Sequence, residues 1–446
     1  MRFQKWLSVL VLGLSVPVSV SAAPTWSPDP GGTELIGNTT VTLDGNLTLD
    51  RTYTSWYSMS FNLKSDTSAA TVEVKNVQEF TGGVNVGNGV TLKLNQTEGN
   101  RGAGYGAIRG TITLEKGGKI DIATGSQTGY GANATKWALN GGQLINSTSD
   151  KIATMNQIDI RGDVTISGNS THDLGTFALD NKFSVHSGNV TINTNKIALA
   201  ARYGETKYQQ DFYIYDGSLV TINGELADIS STAAGGWEGG NARSLRKTGG
   251  GTLLINTVTS YTGSTIAYRG TLKIGVDNPF PTSKFEMSDK AVGILDLNGH
   301  NATLNLASNI YGNIMNSAAD TTSVATLNIA EGEAYEVSGV IKNGTGKTAV
   351  IVTGGGTLNV AKAQTFSGGL TIENGTVTLS GSGDGIDDFT KYGVIRNTIT
   401  VEKDGVLELL TGSAFGYGRK DVQGAPTLTV NGGKIDNTKS STHNLL

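Results

Sequence analysis

The stretch Thr248-Gly249-Gly250-Gly251-Thr252-Leu253-Leu254-Ile255, then Tyr261-Thr262-Gly263-Ser264, then Gly270-Thr271-Leu272-Lys273-Ile274, decides the fold. It returns as Thr353-Gly354-Gly355-Gly356-Thr357-Leu358-Asn359-Val360, then Phe366-Ser367-Gly368-Gly369, then Gly375-Thr376-Val377. In both copies the second Gly-Thr follows the first by 19 residues, and the aromatic follows it by 10. A weaker copy reads Ala70-Thr71-Val72-Glu73-Val74, Phe80-Thr81-Gly82-Gly83 and Gly89. A fixed short interval between alternating apolar strands predicts stacked coils, because a unit this small buries its apolar face only against its neighbours.

Working outward, strand signals of period two fill the chain. Examples are Val41-Thr42-Leu43, Val90-Thr91-Leu92-Lys93-Leu94, Val190-Thr191-Ile192 and Leu219-Val220-Thr221-Ile222. Asn-Gly and Gly-Gly pairs punctuate them, as at Asn223-Gly224 and Asn298-Gly299. The class is therefore all-β. Asn-Gly also suits antiparallel hairpins, which keeps a sandwich as the alternative. The repeat interval fits one three-sided coil of roughly 20 residues, so the expected fold is a right-handed parallel β-helix with Leu253, Ile255, Leu272, Ile274, Leu358 and Val360 facing inward.

A larger duplication is independent of the cassette. Tyr105-Gly106-Ala107-Ile108-Arg109 and Thr111-Ile112-Thr113-Leu114-Glu115-Lys116 return as Tyr392-Gly393-Val394-Ile395-Arg396 and Thr398-Ile399-Thr400-Val401-Glu402-Lys403. Asn140-Gly141-Gly142 returns as Asn431-Gly432-Gly433. The first copy runs on into Ile158-Asp159-Ile160 and Val164-Thr165-Ile166, so the natural product is expected to continue past Leu446.

The Thr-Gly-Gly-Gly-Thr-Leu strand, the [Tyr/Phe]-[Thr/Ser]-Gly turn and the closing Gly-Thr resemble the passenger-associated transport repeat, the autotransporter-associated β-strand repeat. The lead-in Leu295-Asp296-Leu297-Asn298-Gly299 and Ser338-Gly339-Val340-Ile341-Lys342-Asn343-Gly344 is similar as well. The match spans about residues 241–380, with the weaker copy at 70–92. The resemblance implies a passenger secreted by a Gram-negative bacterium, with an outer-membrane translocating barrel beyond the C-terminus. It implies no particular activity.

The expected organisation is a signal peptide at 1–22, an N-terminal cap at 23–62, and a solenoid over 63–446 with repeats near 70–92, 247–275 and 352–380. Arg2 and Lys5 precede an apolar stretch from Trp6 to Val20 and the small residues Ser21-Ala22-Ala23, the composition of an export signal. Trp26, Tyr53, Trp56, Tyr57 and Phe61 would cover the first open strand edge. Removing the signal takes the formal charge from −4 to −6, which argues against nucleic acid as a partner. Charged residues are 16% of the chain, below the usual ~25%. Neutral Thr, Ser and Asn suit stacked strands, where identical side chains form hydrogen-bonded ladders. There is no cysteine, which excludes disulfides and thiolate metal sites. In the resembling family, passage through a narrow pore supplies a motive; a large core needing no staple is the other reading.

Chemical motifs are sparse. Gly346-Lys347-Thr348 lacks the leading Gly of a phosphate loop, its place being taken by Ile341, and no helix signal follows. His172, His186, His300 and His443 share no ligand spacing, and no cofactor is expected. Asp384, Asp387 and Asp388 sit in one Gly-rich segment. They are candidates for calcium, for glycan cleavage, or for a solvated acidic turn. Arg161-Gly162-Asp163 is the integrin-type tripeptide, read here against a chance occurrence. Tyr203, Tyr208, Phe212, Tyr213 and Tyr215 form an aromatic group able to stack on sugar rings or to pack the base of their own loop. A second loop is expected at 233–241 around Trp237.

The function expected is a non-enzymatic surface or secreted passenger, an adhesive or structural stalk, with a host-cell or matrix glycan or protein as partner. The alternative is a glycan-active lyase or glycosidase on the same scaffold. A wall-associated structural protein without a translocator is a third reading.

Overall fold

The computed structural model describes residues 18–20, 39–43, 46–49, 61–65, 69–78, 81–96, 106–124, 128–129, 134–173, 175–180, 182–200, 208–229, 241–381, 394–395, 398–411, 414 and 427–437. The elements in these segments are β-strands, and every named strand pairing is parallel. The chain is an all-β parallel solenoid. A parallel pair cannot be closed by a two-residue turn, so the Asn-Gly and Gly-Gly sites are corners between faces of a coil, not hairpins.

The chain divides into two compact units, Met1–Thr148 and Ser149–Leu446. In the first, one ladder runs through Thr39–Leu43, Phe61–Ser65, Val84–Val86, Thr111–Leu114 and Lys136–Leu139. A second runs through Leu47–Leu49, Ala70–Val74, Val90–Leu94, Lys119–Ile122 and Gly142–Asn146. Strand Val18–Val20, within the expected signal, pairs with Thr39–Leu43. The first ladder thus begins inside the range expected as the signal, and the second inside the range expected as a cap. The other residues of the signal lie outside the described segments.

In the second unit one long face carries Ile158–Ile160, Phe183–Val185, Gln209–Ile214, Ser244–Thr248, Ser264–Ala267, Lys284–Met287 and Ala302–Leu306. It continues through Thr322–Asn328, Lys347–Thr353, the start of Leu370–Leu379, Ile399–Leu409 and Leu428–Asn431. A second face runs from Val164–Gly168 through Asn189–Thr194, Leu219–Ile222, Thr252–Ile255 and Gly270–Ile274 to Val340–Ile341. Early coils are closed by Ala153–Met155, Phe177–Leu179, Lys196–Leu199 and Glu225–Asp228. Late coils have Ala334–Glu336, Thr357–Val360 and the end of Leu370–Leu379 instead.

The cassettes stack as their spacing predicts. Thr252 pairs with Thr271 and Thr357 with Thr376, each one coil of 19 residues, and Thr71 pairs with Thr91 in the weaker copy. Leu253, Ile255, Leu272 and Ile274 are 0% exposed, and Leu358 and Val360 are 2% exposed. Burying each such side chain stabilises the fold by about 1.5–3 kcal/mol. The short coil is a property of the cassettes, however. Phe212 pairs with Lys247, a coil of 35 residues, so the uniform period of about 20 does not hold along the chain. Additional residues enter at the corners and leave the strand register intact.

Four features of the cassette mark its corners. Gly249 has φ +77°, and a Cβ there would lie 2.2 Å from the Ile214 carbonyl oxygen of the preceding coil, so the corner admits glycine alone. The aromatic, Tyr261 or Phe366, is buried at the corner. Eight residues after each leading position stands a buried polar residue, Gln78, Thr259 or Gln364, whose backbone N–H donates to the adjacent coil. The hydroxyl residue after the aromatic is held by the preceding coil. Asp228 Oδ2 accepts from Thr262 N and Oγ1 at 3.0 and 2.7 Å, while Asn343 Oδ1 accepts from Ser367 N at 3.1 Å.

Candidate functional site

Strand Gln209–Ile214 gathers amide, acidic and aromatic side chains in the second unit. Alternation turns Phe212 and Ile214 toward the core and Gln209, Asp211 and Tyr213 to the outer side, where Gln209 and Asp211 are buried under their neighbours, Tyr213 is half-buried and Tyr215 follows exposed. Asp211 takes a bidentate pair from Arg246 of the next coil, Nε at 2.8 Å and Nη2 at 2.5 Å. It also accepts from Tyr213 Oη at 3.0 Å and Gln209 Nε2 at 2.8 Å. Burial works against the Arg246 charge, but the Asp211 carboxylate outweighs it and holds the guanidinium pKa above its ordinary value. The Lys182 ammonium lies 4.6 Å from the Tyr213 ring centre, and the Arg246 guanidinium 5.3 Å from that of Tyr268. Tyr215 is 43% exposed and stacks on His186 at 4.6 Å, while His186 Nε2 lies 3.1 Å from Asp159.

The candidates therefore separate. Tyr213 and Tyr215 share the outer face. Tyr208 is half-buried just before strand Gln209–Ile214, with the Arg243 guanidinium 4.5 Å from its ring centre. Phe212 is a correction: it is 0% exposed and packs on Phe183 at 5.1 Å in the core, so it cannot meet a ligand. The period-two strand forces this, because Tyr213 and Phe212 cannot share a face. Tyr203, Asp384, Asp387, Asp388, His443 and the loop around Trp237 lie outside the described residues.

Arg161, Gly162 and Asp163 form a corner on which the next coil rests. Asp163 Oδ1 accepts the Asn189 N–H at 2.8 Å, and the Arg161 carbonyl accepts from Ser187 Oγ at 2.9 Å. Gly188 is packed so closely over Gly162 that a Cβ would lie 2.4 Å from its carbonyl carbon. The tripeptide's carboxylate thus organises the following coil. Lys347 and Thr348 begin strand Lys347–Thr353, and Thr348 Oγ1 donates to the Lys342 carbonyl at 2.8 Å, which is no phosphate cradle. His186 and His300 pair with separate carboxylates, Asp159 and Asp277. Among the described residues no three His, Cys, Asp or Glu side chains form a metal-holding group.

Two polar clusters were hidden from sequence reading. Ser317 Oγ donates to Asp296 Oδ2 at 2.6 Å, and Lys273 Nζ donates to Ser317 Oγ at 3.1 Å. The trio resembles a nucleophile with a base, but the serine proton is given to Asp296 of the preceding coil and the ammonium reaches Ser317 across two coils, so the three tie successive coils together. Asp296 Oδ1 also accepts the backbone N–H groups of Asn298 and Ser317, which makes it a corner clasp. Lys247 is the second. Its side chain is 0% exposed, and Nζ donates to the carbonyls of Thr248, Gly249 and Arg269 at 2.9, 2.8 and 3.0 Å. Burial pushes its pKa down to about 7; Asp216 opposes this and Arg269 adds to it.

No protein-family model, curated protein or solved structure matches the chain.

Proposed function

We propose that this solenoid is a non-enzymatic passenger, exported by its N-terminal signal and displayed at the cell surface or secreted, where it serves as an adhesive or structural stalk. The observation that carries the reading is how its outer polar groups are used. Asn256 Nδ2 donates to Asn223 Oδ1 at 2.9 Å, and Asn223 Nδ2 to Asn193 Oδ1 at 2.6 Å, a ladder over three coils. Asp211 with Arg246, Asp296 with Ser317, and Thr378 with Glu408 likewise join successive coils. Among the described residues Asp211, Asp296 and Glu408, side chains of the type a glycosidase would direct at a glycosidic bond, are engaged in holding coils together. The cassette's resemblance to the passenger repeat supports the route of export, with an outer-membrane translocator as partner.

The test is to express the natural gene in a Gram-negative host and to probe intact cells with antibody against the solenoid, alongside N-terminal sequencing. The reading predicts surface labelling and a mature chain beginning at Ala23. Protein confined to the cytoplasm, or release of reducing ends from polysaccharides by the purified chain, would contradict it.

A further inference from the structure

The long face of the second unit carries a column that no regular interval in the sequence announces. Thr303 pairs with Thr326, Thr326 with Ile351, Ile351 with Thr371, Thr371 with Thr400, and Thr400 with Thr429. All six face outward, the first five half-buried and Thr429 exposed. The flanking column runs from Lys284 through the uncharged Asn305, Asn328 and Thr353, with Asn328 Nδ2 donating to Asn305 Oδ1 at 2.8 Å, and the exposed Glu373 stands two residues after Thr371. Glu402 borders the end of the column and is occupied by Asn431. Unlike Thr262, Thr345 and Thr378, whose hydroxyls tie coils together, the hydroxyls of Thr303, Thr326, Thr371, Thr400 and Thr429 have no protein partner among the described residues.

We infer that this threonine column is a binding face for a neutral, extended polysaccharide chain. The inference rests on the proposed surface role for where the ligand is met, and on the face itself for what the ligand is. Six rungs at about 4.8 Å span roughly 24 Å. With a width of about 10 Å, the strip offers roughly 240 Å², against the ~800 Å² per partner of a stable protein interface. A second copy of the chain is therefore a poor occupant, whereas a narrow polymer fits. The column contains no cation for a polyanion and no aromatic platform for nucleic-acid bases. Each threonine presents a hydroxyl and a methyl group, and β-branching holds both nearly fixed. Hydroxyls at regular spacing meet sugar hydroxyls, while the methyl groups and Ile351 meet the C–H faces of the rings. Preorganisation reduces the ordering cost of so narrow a contact.

The test uses the full chain in affinity electrophoresis and pull-down with soluble β-1,3-glucan, insoluble cellulose, heparin and alginate. The wild type is expected to bind at least one of the two neutral glucans, insensitively to salt, and to ignore the polyanions. Thr326→Lys with Thr371→Lys should weaken binding at least tenfold. Thr326→Val with Thr371→Val, which keeps the shape, should weaken it several-fold with an unchanged melting temperature. Thr191→Lys with Thr221→Lys, on the other face, should leave it unaltered. Binding to polyanions alone, equal loss from both lysine pairs, no loss from the valine pair, or no binding to either glucan would overturn the inference. Surface labelling of cells that persists alongside such a failure would leave the passenger reading intact and remove this ligand alone.

Discussion

Asn431 Nδ2 donates to Glu402 Oε1 at 3.0 Å, and Asn140 Nδ2 donates to Glu115 Oε1 at the same 3.0 Å. These are corresponding residues of the larger duplication, so the repeated sequence encodes a repeated contact between coils. The same correspondence holds in the core. Gln78 bridges to Ile108 and Gln364 to Ile395, with the glutamine N–H donating to Ala107 and Val394 respectively. Copying the sequence has therefore copied an inter-coil fastening as well as a strand.

Truncating one cassette leucine tests the shared core. Leu272→Ala should lower stability by about 2–5 kcal/mol, the range for a fully buried leucine whose site cannot collapse. Urea unfolding should show this as a lower midpoint. Thr221→Ala, on the outer face, should stay within about 0.5 kcal/mol.

Two glycine substitutions separate backbone strain from steric overlap. Gly217 has φ +78° with nothing within 4 Å of an added Cβ, so Gly217→Ala should cost only the left-handed term, about 1–2 kcal/mol. Gly249→Ala carries the same strain plus an overlap with the Ile214 carbonyl and should melt markedly lower. Equal melting temperatures for the two variants would disprove the close approach of coils at that corner.

The pH dependence follows from Lys247. Its folded pKa is about 7 against an ordinary value of 10.5. Between these values the unfolded chain binds the extra proton, so stability rises with pH, by roughly 1.4 kcal/mol per unit for one group. The gain is complete above pH 10.5 and is lost as pH falls toward 7. Lys247→Met should abolish this slope. Comparing urea unfolding at pH 7.5 and 9.5, the wild type should gain about 2 kcal/mol more than the variant.

The all-β class, the cassette stacking and the inward residues were legible because Thr252-Leu253-Leu254-Ile255 alternates and returns at a constant interval. Coil length was not. Corners accept insertions without disturbing register, so Phe212 meets Lys247 after 35 residues while Thr252 meets Thr271 after 19. For the same reason the threonine column is invisible in sequence, its members being separated by between 20 and 29 residues. Nearness in sequence groups Phe212 with Tyr213 and Tyr215, but period two puts Phe212 in the core and the two tyrosines on the outer side. The clusters of Lys273, Asp296 and Ser317, and of Asp211 and Arg246, join separate coils and leave no local pattern.

The most direct test of the stacked parallel architecture is oxidative cross-linking, favoured by a chain with no cysteine. Thr252 and Thr271 are outward neighbours in adjacent coils, within the roughly 4.4–6.8 Å Cα separation a disulfide tolerates. Thr252→Cys with Thr271→Cys should form an intramolecular disulfide rapidly in the folded chain. Thr252→Cys with Lys273→Cys, two residues out of register, should form it far more slowly. Preferential linkage of the second pair would contradict the parallel solenoid.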